Sequence, residues 1–479
     1  MSTGSFYDLE VWSFIVIIAI LCGAVLLANV LKRFIKPLRE SLIPNSVLGG
    51  IILLIISTIC YFAFGDYLFN LDLFNVSSEF TGMQTLEVIT YHALAIGFIA
   101  MGLRTNERKL TKARSGEIFD TGVLTVSTYL IQVIVGLIIT IIAALFITGI
   151  IPAGGILLAF GFGQGTGQAL NYGKIYEKVV EDGIGVSNFV GGANFGLTIA
   201  ALGFLAAAIG GVIFLNVMKA KGKIKVVPED VRKEMEEAVH GENEITSSGS
   251  MDKLTVQIGA VMLVYALSFG LMYALSLIGT GVGNIVFGFN FLIGTVLTIP
   301  VKAIIKKLRA KGVMKKDYIN NYMMNRIGGF AFDVMIVAGI GAIQIHMIKD
   351  YWLVLIIMAL VGAVTTFAYT RICCNKLFKG YANEQFLASY GMLTGTASTG
   401  MILLREIDPD LKTPASENLV YQNLPAIAFG FPIMILANLA PQSPMMTYIV
   451  LGIVVVLFVL LNIILFRRSI FKRKKKLKE

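Results

Sequence analysis

The stretch Phe160-Gly-Phe-Gly-Gln-Gly-Thr-Gly-Gln-Ala169 decides the fold. It lies between two long apolar runs, 117–148 and 184–218, yet glycine takes every second position from 161 to 167. Each glycine costs a helix about 1 kcal/mol against alanine, so the helix breaks here. Packing motifs between membrane helices space small residues by four, so close packing does not explain a spacing of two. Non-helical backbone at membrane depth survives only when buried in protein or lining a wet cavity. Its freed N–H and C=O groups must therefore bind something. Carbonyls and the Thr166 hydroxyl suit a hard cation such as Na⁺, and N–H groups at a restarting helix suit a carboxylate. Gln164 and Gln168 can donate or accept, orienting a solute without an intramembrane charge.

The rest of the chain supplies the membrane. Of 479 residues, 56% are hydrophobic and 15% charged, against roughly a quarter charged in soluble domains. The apolar residues gather in runs such as Trp12–Leu31, Val261–Ile278 and Tyr448–Phe466, long enough to cross a bilayer as helices. This composition excludes a soluble enzyme, a nucleic-acid binder and a disordered protein. It specifies an all-α polytopic membrane protein. Cys22, Cys60, Cys373 and Cys374 all sit in apolar runs without zinc spacing, so neither a disulfide framework nor a transition-metal site is expected. Met1–Glu10 lacks the basic start of a signal peptide, and the run from Trp12 is expected to be retained as the first span.

Eleven spans are expected: 12–31, 43–64, 86–103, 117–148, 184–218, 254–280, 282–304, 326–346, 351–373, 418–440 and 446–466. The segments 149–183 and 381–416 are apolar but glycine-broken, and each reads as a hairpin entering and leaving on one side. With the N-terminus outside, the basic clusters Lys32–Arg39, Arg104–Arg114, Lys219–Lys225, Lys302–Lys316 and Arg467–Lys478 all fall inside. The net charge of +10 is then the cytoplasmic Lys/Arg bias rather than a polyanion site. A full crossing by either hairpin would flip every later loop and break that rule.

The chain divides almost in half at 219–253, which reads as a short cytoplasmic helix and a Ser/Gly tether. Residues 1–218 and 254–440 each hold five spans with a hairpin between the fourth and fifth; 446–479 add a last span and a basic cytoplasmic tail. By the charges the two hairpins enter from opposite sides, the plan of an inverted-repeat transporter with its site where broken segments meet. The second hairpin, Ser389-Tyr-Gly-Met-Leu-Thr-Gly-Thr-Ala-Ser-Thr-Gly400, offers Thr394, Gly395, Thr396, Ser398 and Thr399. Hydroxyls in membrane helices often only bond back to the preceding turn; opposite the first hairpin, these are candidate contacts for a cation or carboxylate.

Gly163-Gln-Gly-Thr-Gly-Gln-Ala169 resembles the first re-entrant motif of the sodium/glutamate symporter family, usually GGHGTGAA. Ala193-Asn-Phe-Gly-Leu197 is similar to that family's fifth span and Ile43-Pro-Asn-Ser-Val-Leu-Gly-Gly50 to its second. Leu393-Thr-Gly-Thr-Ala-Ser-Thr399 stands where the family has GLGATPT. The resemblance covers about residues 10–440. It implies two inverted five-helix repeats, a transport domain moving against a scaffold, a homodimer, and Na⁺-coupled uptake of an acidic amino acid such as glutamate, with no other cofactor. The family His is Gln164 here, one Ala is Gln168, and the Pro is Ser398. Substrate-binding candidates are therefore Gln164, Gly165, Thr166, Gly167, Gln168, Thr394, Gly395, Thr396, Ser398 and Thr399.

Cation-binding candidates are Thr166, Asn194, Asp333 and Asn438. Asp333 is a carboxylate in the eighth span, costly there by about 2.5–3.5 kcal/mol; it is either a cation ligand or an internal partner for a polar neighbour. His92 and His346 read as interfacial or hydrogen-bonded histidines near span ends, with a proton relay the alternative. Arg405 faces the cytoplasm or meets a carboxylate there. Gly203, Ala207 and Gly211 repeat every four residues, which is a helix-packing pattern.

The expected function is secondary active transport of a small anionic solute with Na⁺ across the plasma membrane, N-terminus outside and C-terminus cytoplasmic. A Na⁺- or H⁺-coupled di- or tricarboxylate carrier is the alternative. The sequence has no Walker phosphate loop, no H-E-x-x-H and no paired nucleophile and base, which argues against a pump or an intramembrane enzyme. A channel would repeat one-polarity filters around a ring.

Overall fold

The computed structural model describes residues 6–77, 80–104, 111–177, 189–224, 252–279, 283, 286–314, 317–408 and 412–467. The described chain is helical almost throughout. Its long helices are α1 (Leu9–Phe34), α2 (Asn45–Phe64), α3 (Gly82–Leu103) and α4 (Lys112–Ala143). A pair of short helices, α5 (Leu157–Gln164) and α6 (Thr166–Glu177), precedes α7 (Gly192–Ala220). Then come α8 (Lys253–Ser276), α9 (Asn290–Ala310), α10 (Asn321–Gly341) and α11 (Trp352–Leu377). A second short pair, α12 (Ala382–Thr394) and α13 (Ala397–Arg405), leads into α14 (Ala415–Tyr421), α15 (Asn423–Leu439) and α16 (Pro444–Leu465).

Local chemistry sets these boundaries. Thr81 and Gln84 form a capping box at the start of α3, and Asp252, Asn320 and Ser443 cap α8, α10 and α16. Gly65, at φ 85°, ends α2 in the left-handed conformation.

Ten of the described helices are long and apolar enough to cross a bilayer, so the chain is an all-α polytopic membrane protein. The expected span 282–304 differs: its helix, α9, begins only at Asn290, and its second half carries Lys302, Lys306, Lys307 and Arg309. Uniform hydropathy across 282–304 hides that late start. The expected span 418–440 is divided between α14 and α15 at Gln422, whose amide bonds to the Leu419 carbonyl at 3.3 Å and accepts from Thr125 at 2.7 Å. Residues 225–251 of the expected linker and the tail from 468 lie outside the described residues.

Two packed groups emerge. In one, α3 and α10 lie against each other and are flanked by α1, α2, α8 and α9. In the other, α4, α7 and α11 pack against the two short pairs, and α15 and α16 lie against α4. Gly97 of α3 lies so near the Phe332 ring of α10 that a Cβ there would sit 2.6 Å away. Arg467, at the end of α16, reaches back to the buried Asp120 of α4 at 2.6 Å. His92 is hydrogen-bonded to Tyr265 at 2.5 Å and His346 to Tyr67 at 2.7 Å.

Candidate functional site

Both short pairs double back. Phe160 of α5 stacks on Tyr172 of α6 with ring centroids 3.8 Å apart. In the second pair Gly400 passes so close to α12 that a Cβ would lie 2.3 Å from the Ala388 carbonyl. Each is therefore a hairpin. At the first tip Gly165 takes φ 79° and ψ −169°, a conformation essentially reserved for glycine. That turn lets the chain restart as α6 at once.

Helix α7 packs against both hairpins and fixes their opposition. Its first half meets the first hairpin: a Cβ on Gly196 would lie 2.4 Å from the Ala169 carbonyl. Its middle meets the other: a Cβ on Gly203 would lie 2.6 Å from the Thr394 carbonyl, and Tyr390 donates to the Ala206 carbonyl at 2.8 Å. The expected packing stripe is thus the seat of the second hairpin, with Gly211 against Leu403. The base of the first hairpin lies near the start of α7, where Gly173 meets Gly192 and Ala193. The two hairpins enter from opposite ends of α7, and their tips meet. A Cβ on Gly165 would stand 3.3 Å from the Thr396 methyl.

Helix α4 ties down both tips. Tyr129 donates to the Gly163 carbonyl at 3.1 Å, and one turn on Gln132 donates to the Leu393 carbonyl at 2.8 Å and to Thr366 at 2.9 Å. The tips are thus held by neutral hydrogen bonds that survive without water.

Beside the tips is a cavity of about 110 Å³. Gly163, Gln164, Gly395, Thr396 and Ala397 form its floor, and Met392, Asn423, Ile427 and Met434 extend it on the hairpin side. Phe98 and Met101 of α3, Phe291 of α9, and Phe332 and Met335 of α10 form the opposite wall. Among the described residues that line it, none is charged.

The sequence candidates divide accordingly. Gln164, Gly395 and Thr396 line the cavity, and Gly165 touches Thr396. Thr166 is buried and donates to the Met335 carbonyl at 3.2 Å, tying the first tip to α10. Gly167 lies where a Cβ would meet the Met335 sulfur at 2.8 Å. Gln168 is fully buried with neither amide atom hydrogen-bonded. It precedes Tyr172 and Tyr176 by one and two turns on the same face of α6, and these two donate to the Met434 and Ala437 carbonyls of α15. In the second tip Thr394 bonds back to the Tyr390 carbonyl at 2.7 Å, Thr396 and Thr399 lie 3.4 Å apart, and Ser398 is half-buried in the first turn of α13.

Asn194, Asp333 and Asn438 stand apart from the cavity lining. Asn194 accepts the Gln344 N–H at 2.6 Å. Asn438 donates to the Met434 carbonyl of its own helix at 2.9 Å. Asp333 is turned toward Ser46 in the first turn of α2, where the helix dipole favours a carboxylate. Arg326 is engaged with Tyr322, and Arg405 is exposed at the end of α13. Sequence reasoning missed Tyr129, Gln132 and the Phe/Met wall. Gln132 had a signal, as a lone amide within an apolar run; the wall had none.

A comparison of the chain with family profiles and with curated proteins gives no match to either.

Proposed function

We propose that this protein is a secondary active transporter that carries a small anionic solute with Na⁺ by alternating access. The observation that carries the proposal is the meeting of two oppositely entering hairpin tips beside a cavity walled by the other helical group. Broken helices converging mid-membrane are the usual seat of a transported solute and its coupling ion. The group α1–α3 with α8–α10 is the scaffold, and the group holding the hairpins is the moving body. In the inverted repeat proposed here, α3 and α10 are equivalent third spans lying against each other, α4 and α11 equivalent fourths, and α7 and α15 equivalent fifths.

Na⁺ is proposed to bind at the tips, where the unpaired Gln168 Oε1 and the hydroxyl of Thr166 are the nearest candidates among the sequence-derived residues. Coupling arises if each ligand completes the other's pocket, so that each raises the other's affinity. The proposal includes a homodimer in the plasma membrane, N-terminus outside.

The test is uptake of labelled glutamate into proteoliposomes under an inward Na⁺ gradient, with a K⁺ control and a competition panel of other carboxylates. Na⁺-dependent, saturable uptake of any member supports the proposal. Solute entry indifferent to Na⁺ overturns the coupling, and ion flux far above solute flux overturns carriage in favour of a channel.

A further inference from the structure

A cation stands one turn beyond the cavity lining, beside Met101. Arg104 follows the last residue of α3, one turn beyond the cavity-lining Met101, and its guanidinium lies 3.9 Å from the Met101 sulfur. On its other side is Tyr421, two residues before the cavity-lining Asn423. The Arg104 Nε is buried with no hydrogen-bond partner, and among the described residues the guanidinium forms no ion pair. Burial pulls its pKa below the ordinary arginine value. Lys302 of α9 donates to the Arg104 carbonyl at 3.3 Å and places a second cation behind the first. A half-buried guanidinium without a carboxylate is costly, and an incoming anion removes that cost.

The cavity behind Arg104 has a different chemistry. Met101, Met335, Met392 and Met434 line it together with Phe98, Phe291 and Phe332. Among the described residues the polar side chains in the lining are Gln164, Thr396, Asn423 and Tyr129, and the Tyr129 hydroxyl is already bonded to Gly163. Glutamate would bring an ammonium and a second carboxylate into this space, where no charged side chain meets them. Methionines and aromatic rings instead fit an apolar body of variable shape.

We infer that the cavity takes a monocarboxylate with an apolar body, its carboxylate held by Arg104 beyond the lining and its body among the methionines and phenylalanines. This deepens the carrier reading above and names its cargo class. It rests on that reading only for transport, since binding can be measured without flux.

The experiment is binding of 4-methylpentanoate and phenylacetate to the purified full-length protein, each compared with its uncharged amide, with glutamate and succinate as competitors. The acids should bind at least about tenfold more tightly than the amides, and neither glutamate nor succinate should displace them. Arg104→Gln should bring the acid-to-amide ratio to about one while amide binding persists, which also reports that the cavity is intact; Arg104→Lys should retain part of the preference. Stronger binding of glutamate or succinate, or an unchanged ratio in Arg104→Gln, overturns the assignment and leaves the carrier reading standing. Tight, Arg104-dependent binding of the acids without any flux would uphold the site and sink the carrier reading instead.

Discussion

Gln132 donates to the main-chain carbonyl of Leu393 at 2.8 Å, so a helix of the first half of the chain holds the tip of the second hairpin. The same amide nitrogen reaches Thr366. Gln132→Leu leaves the Leu393 carbonyl and the Thr366 hydroxyl without this donor, at about 1–3 kcal/mol. The expected outcome is a lower melting temperature in detergent and loss of uptake. Unchanged melting would show that the tip is held by packing alone.

Gln168 makes the opposite prediction for stability. Both of its amide atoms are buried and unpaired, so Gln168→Leu should raise stability by about 1 kcal/mol or more. If those atoms serve Na⁺ or the solute, the same variant loses Na⁺-dependent uptake. A variant both more stable and fully active would remove Gln168 from the site.

Gly165→Ala should stall transport with insertion intact. Its φ of 79° with ψ −169° costs a non-glycine residue about 1–3 kcal/mol, and the new methyl would face Thr396 at 3.3 Å. Adding Thr396→Ser removes the facing methyl but not the backbone strain. The double variant should therefore remain as slow as Gly165→Ala in the uptake assay; recovery would locate the fault in side-chain crowding.

Asp120 and Arg467 form a pair whose carboxylate side is buried, with side-chain exposures of 7% and 30%. Arg467→Ala strands the carboxylate and should cost up to about 3 kcal/mol, the low end for breaking a buried pair. Asp120→Ala with Arg467→Ala should recover much of that loss. A double-mutant cycle in thermal unfolding measures the difference, and additive losses would mean the pair contributes nothing.

Lys174 of the first hairpin meets Glu87 of α3 at 3.0 Å, across the boundary between the two helical groups. Cysteines at 87 and 174, in a chain with its four native cysteines replaced by serine, allow a short bifunctional reagent to join hairpin and scaffold. Cross-linking should abolish uptake, and reversal of the link should restore it. Uptake that survives the link would show that these two surfaces do not part during transport.

The first hairpin was legible in the sequence from its alternate glycines and the second from glycines among hydroxyls, but only Gly165 breaks the helix; Gly161 and Gly163 lie within α5, pressed against Ile199 and Tyr129. The cavity wall was not legible. Phe98, Met101, Phe332 and Met335 are residue types that also face lipid, and in a membrane protein hydropathy does not separate the two faces of a helix. Arg104 read as one of many topogenic cations, and only its unpaired Nε beside Met101 distinguishes it. Asp333 drew attention as an intramembrane charge, but its placement opposite Ser46 depends on how α10 packs against α2. Asp120 lay near a span end, where a carboxylate attracts no notice.

Helix α7 is packed without a gap against both hairpins, from Gly196 on Ala169 to Gly203 on the Thr394 carbonyl. Jaws mounted on one rigid bar keep the same grip wherever the bar travels. In the carrier proposed above, a solute held between such tips meets the same floor on either face of the membrane, and only the opposite wall is exchanged. In that carrier, loading and unloading affinities differ little on account of the floor, and the proposed coupling to an ion gradient supplies the work of uphill accumulation. A wedge driven between α7 and either hairpin would slow the cycle without competing for the cavity.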